Sequence, residues 1–114
     1  MLIKGNNTVR NVFGISEMQE AKIYTFLQGA VYCWCKNFND EEFALRDLMG
    51  GENFDWEGTP LYALWEKHNE LGAANPVKSA GIDAGWILKK VILEDKRKFE
   101  LRESEMTNKY RWIK

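Results

Sequence analysis

At Lys98 the spacing of apolar residues changes from every third or fourth position to every second, and this switch limits the folds open to the chain. Phe99 and Leu101 alternate with Lys98, Glu100 and Arg102, and Tyr110 and Trp112 alternate with Lys109 and Arg111. Alternation of this kind places one side of an extended segment in a core and the other in solvent. Ser104-Glu105-Met106-Thr107-Asn108 supplies turn residues between the two segments, so the pattern predicts a C-terminal β-hairpin. Everything before Lys98 follows helical spacing or none. The expected class is therefore α+β, mainly helical, with four or five helices followed by the hairpin.

The first helix is the best signalled. Ser16 and Gln19 have capping-box spacing, and Ile23, Phe26, Leu27, Ala30, Val31 and Trp34 repeat on one face, which predicts a helix over 16–36. Ahead of it, 8–13 is β-branched and short and reads as an edge strand ending at Gly14. Asn39 or Asp40 is the expected cap of a short second helix carrying Phe43, Ala44, Leu45, Leu48 and Met49, stopped by Gly50-Gly51. Thr59 and Pro60 open a third, with Leu61, Leu64, Trp65, His68 and Leu71 on one face and Gly72 as its end. Asn75-Pro76 starts a fourth helical pattern that runs to about Asp95. Gly81 and Gly85 would each cost about 1 kcal/mol inside a continuous helix, so a turn at Gly81 with a new helix beginning near Asp83 is expected at least as much as the unbroken one.

A chain of 114 residues can bury a core of its own and reads as a single domain spanning 1–114. It lacks an apolar run of signal-peptide or membrane-span length, so a cytoplasmic protein without membrane attachment is expected. Cys33 and Cys35 stand two apart on a helix, where their side chains diverge, so no disulfide joins them. Net charge is −1 but unevenly spread: 1–88 hold seven Lys/Arg against twelve Asp/Glu, and 89–114 hold nine against five. A basic end on an acidic body suits a polyanion partner; solvated lysines and arginines on a hairpin give the same count.

Val77-Lys78-Ser79-Ala80-Gly81-Ile82-Asp83-Ala84-Gly85-Trp86-Ile87-Leu88-Lys89-Lys90-Val91 resembles the helix-turn-helix of bacterial repressors. Ala80 and Gly81 fill the packing and turn positions, Ile82 the core plug, Asp83 the cap of the recognition helix, Ile87 its interior position and Lys89 a basic position. Pro76 and Trp86 depart from the pattern, and Asp83 would repel phosphate. The order of helices then hairpin is similar to a winged helix. That resemblance implies a DNA-binding regulator, transcriptional or of a mobile element, possible as a homodimer, with Lys89, Lys90, Lys96, Arg97, Lys98, Arg102, Lys109 and Arg111 on phosphates. Trp86, Tyr110 and Trp112 would stack or wedge there, or pack in the core and across the hairpin.

Catalytic chemistry is not expected. His68, the single histidine, lies on an apolar helix face and reads as a hydrogen-bonded, half-buried residue. Cys33-x-Cys35 has no second Cys or His pair for zinc. Glu94-Asp95-Lys96 has the Glu-x-Lys end of a nuclease motif but would close a helix, and no Gly-rich phosphate loop is present. Neither a metal nor a cofactor is expected. The loop 52–58 poses a separate question, because Phe54 and Trp56 stand amid acids. They either anchor a partner protein or a second copy of the chain, as part of a non-enzymatic interaction module, or fold back onto the core.

Overall fold

The computed structural model describes residues 1–51, 54–104 and 107–114. Among them the chain is α+β: a strand β1 (Leu2–Lys4), helices α1 (Glu17–Asn37), α2 (Leu45–Leu48), α3 (Tyr62–Glu70) and α4 (Pro76–Glu94), then strands β2 (Lys98–Glu103) and β3 (Asn108–Ile113). The alternating C-terminal segments form the hairpin their spacing predicts, with Phe99 opposite Trp112 and Leu101 opposite Tyr110.

Helix α1 starts where its cap lies. The Ser16 hydroxyl accepts from the Gln19 backbone N–H, and the Gln19 side chain accepts from that of Ser16. Its inward row is Ile23, Leu27, Val31 and Cys35. These residues meet Ala80, Ala84, Ile87, Leu88, Val91 and Ile92 of α4, and the sheet closes the core with Phe99, Leu101 and Tyr110. Cys33 is exposed and Cys35 buried, both as free thiols.

Of the two alternatives for the fourth pattern, the chain adopts the continuous helix. Asn75 caps α4 by accepting from the Lys78 N–H, Pro76 occupies the first turn, and the helix passes through Gly81 and Gly85 without a break. Burial of six apolar side chains on one face outweighs the roughly 2 kcal/mol that two helical glycines cost. Ile82, expected as a core plug, is 55 % exposed.

Three other expectations are corrected. The 8–13 segment is not a strand. It runs across α4, with the Arg10 guanidinium 5.5 Å from the centre of the Trp86 ring, and the N-terminal strand is instead Leu2–Lys4, parallel to β2. The second helix begins at Leu45 rather than after Asn39 or Asp40, because Phe43 is held by the sheet edge through two backbone hydrogen bonds of 2.8 Å with Tyr110. Asp47 then supplies the cap by accepting from the Ala44 N–H. The third helix starts two residues late because the Thr59 hydroxyl turns back to donate to the Trp56 carbonyl.

Candidate functional site

The eight basic residues named above do not share one surface. Successive side chains of a strand point to opposite faces. Phe99, Leu101 and Tyr110 face the core, so Lys98, Glu100 and Arg102 of β2 and Lys109 and Arg111 of β3 face outward, with Lys4 of β1 opposite Glu100. On that outer face both arginines are already held. Arg102 makes a two-pronged pair with Glu42 at 2.9 and 3.1 Å, and Arg111 donates twice to one oxygen of Glu100 at 2.9 and 2.7 Å. The Arg102 hydrogen bonds hold the Glu42 carboxyl below the usual range, and Glu42 in turn raises the guanidinium.

Lys89 and Arg97 lie elsewhere. Lys89 is 3 % exposed, with its ammonium 5.5 Å from the Trp86 ring centre, and burial lowers its pKa. Phosphate contact would require pulling it out of the core. Arg97 pairs with Asp95 at 3.1 Å and sits over Tyr32 and Trp112, 4.7 and 5.4 Å from the ring centres. Lys90 and Lys96 are exposed. Asp83 is mid-helix, where one carboxylate oxygen accepts from Lys67 Nζ and meets His68 Nε2, both at 2.7 Å. His68 therefore serves to clip α3 to α4, in the half-buried, hydrogen-bonded position its place on the helix predicts.

The other candidate surface is an open cleft of about 460 Å³ lined by Phe54, Asp55, Trp56, Glu57, Tyr62 and Trp65. Two local rules build it. Tyr62 and Trp65 are three apart at the start of α3, so both project from one side of the helix and stack at 5.3 Å with planes 7° apart. The preceding loop brings Phe54 and Trp56 together, ring centres 4.8 Å apart. Asp55 accepts from the Glu57 N–H, and Thr59 donates to the Trp56 carbonyl through both its backbone N–H and its hydroxyl, which ties the loop to the base of α3.

The two loop aromatics differ in how far they fold back onto the core. Trp56 is 9 % exposed and joins the core, whereas Phe54 is half-buried and lines the cleft with it. Glu52 and Asn53, at the start of the same loop, lie outside the described residues. Loss of solvent raises the Tyr62 phenol, and Glu57, Glu66 and Asp55 raise it further. Among the described residues neither Asp55 nor Glu57 has an ion-pair partner. Tyr62 and Trp65 were not among the expected site residues. Their three-residue spacing directly after an aromatic loop was the available signal.

Among the described residues no three His, Cys, Asp or Glu side chains converge as a metal site, and no helix is long and apolar enough to cross a membrane. No protein-family model, curated protein or solved structure matches the chain.

Proposed function

We propose that this chain is a non-enzymatic interaction module, working in the cytoplasm, that docks a partner protein at the cleft formed by the 54–57 loop and the first turn of α3. One observation carries the reading: four aromatic residues line a single opening with two carboxylates that have no ion-pair partner among the described residues. Large aromatic anchors in a concave site are the usual source of binding energy at protein interfaces. The loop is braced from behind by Trp56 and Thr59, so little ordering entropy is lost on docking.

Affinity capture with the tagged chain tests this. Tyr62→Ala with Trp65→Ala should keep the helical circular dichroism and lose a partner that the parent chain retains. Unchanged partners in a folded double variant would refute the assignment.

A second reading, a winged-helix-like DNA binder, has its own support. Helices α3 and α4 are joined by a short turn and followed at once by the hairpin, and Lys98, Arg102, Lys109 and Arg111 share the sheet's outer face. In this reading α4 lies in the major groove, the hairpin follows the backbone, and the recognition element is the whole of α4 rather than a helix from Asp83. It requires affinity for arbitrary duplex DNA that falls steeply with salt, by roughly one power of concentration per phosphate contacted. Absent or salt-insensitive binding would remove it.

A further inference from the structure

We infer that the cleft takes an arginine side chain of the partner, held between aromatic rings and the carboxylates of Asp55 and Glu57; this rests on the cleft being the docking site. The first argument is charge. The Asp55 side chain accepts from the Glu57 N–H, both residues are exposed, and among the described residues no Lys or Arg pairs with either. An incoming cation meets two carboxylates that no internal salt bridge has to release.

The second argument comes from three aromatic side chains elsewhere in this chain, Trp86, Tyr32 and Trp112. Trp86 carries Arg10 and Lys89, Tyr32 carries Arg97, and Trp112 carries Arg97 and Lys114, each cation within 5.5 Å of a ring centre. Among the described residues no such cation covers Phe54, Trp56, Tyr62 or Trp65. The cleft thus has the aromatic faces that attract cations and the acids that hold them, and no cation covers them among the described residues.

Arginine fits better than lysine for geometric reasons. A guanidinium is planar and weakly hydrated, so it lies flat on a ring while its edge donates two hydrogen bonds to a carboxylate. The same chain holds a guanidinium over a ring at Arg97 and Tyr32, 4.7 Å from the ring centre, and makes the two-pronged contact at Arg102 and Glu42. Neutral ligands of the same shape would keep the stacking and lose the charge.

The probe is a capped Gly-Gly-Arg-Gly-Gly peptide, titrated into the isotope-labelled full chain while the indole N–H signals are followed by NMR. Trp56 and Trp65 should shift saturably, with Trp34, Trp86 and Trp112 unmoved, and the citrulline peptide should bind at least about fivefold more weakly. Asp55→Asn with Glu57→Gln should weaken the arginine peptide by about fivefold to tenfold and leave the citrulline peptide unchanged. Equal binding of the two peptides, or no shift at Trp56 and Trp65, would overturn the inference. If that happens while Tyr62→Ala with Trp65→Ala still removes a captured partner, the cleft remains the docking site and only its cation preference falls.

Discussion

The outer face of the sheet and the cleft at the base of α3 are both charged and both open to solvent, yet they differ in where their counter-charges come from. On the sheet, Arg102 and Arg111 are answered by Glu42 and Glu100 from within the chain. In the cleft, Asp55 and Glu57 have no such answer among the described residues. Counting charges along the sequence points to the basic end as the functional one. Pairing them in space shows that two of those basic residues, Arg102 and Arg111, already hold carboxylates of the same chain.

Removal of the cleft's rings should produce the largest effect. Trp65→Ala is expected to cost about 2 kcal/mol or more of partner affinity, read by calorimetry, as central aromatic anchors do. A loss confined to stability, with affinity intact, would break the comparison on the cleft side.

Lys89→Met tests the opposite region. The native lysine is buried, so the folded chain releases its proton at lower pH than the unfolded chain does. Between that lowered value and the ordinary lysine range the unfolded state binds more protons, and stability rises with pH. The variant should flatten this alkaline rise and be neutral to stabilising, by at most about 1 kcal/mol, in denaturant melts.

Gly81→Ala should raise stability by about 0.5–1 kcal/mol, because a Cβ there meets nothing within 4 Å and the helix is continuous. A destabilised variant would instead favour the broken helix with a turn at Gly81. The smallest effect belongs to Arg102→Ala. Arg102 is 56 % exposed in its pair with Glu42, and loss of that solvent-screened pair should leave the denaturant midpoint almost unchanged. The small contribution should itself disappear on acidification, since the Glu42 carboxyl is held low by Arg102 and its stabilisation is lost as pH falls through that lowered value.

Local rules made α1 and the hairpin legible. Ser16 and Gln19 are three residues apart, and the two-residue alternation after Lys98 needs no tertiary information. Features set by distant partners were not. Strand β1 is three residues long and pairs with residues almost a whole chain away, and Phe43 is extended only because Tyr110 receives it. The path of α4 through Gly81 could not be read from propensity, which disfavours both glycines by a fixed amount and is blind to the face buried against α1. The cleft was half legible: Phe54 and Trp56 stood out amid acids, while Trp65 passed as an ordinary member of a helix face and Tyr62 lay outside that face's apolar pattern. Internal pairing of Arg102 was invisible, since Glu42 and Arg102 are 60 residues apart.

Charge reversal on the two regions, compared in one capture experiment, tests the central claim most directly. Asp55→Lys with Glu57→Lys should abolish capture of the partner, and Arg102→Glu with Arg111→Glu should leave it within about twofold of the parent chain. Loss of the partner on reversing the sheet, with capture preserved on reversing the cleft, would contradict the account.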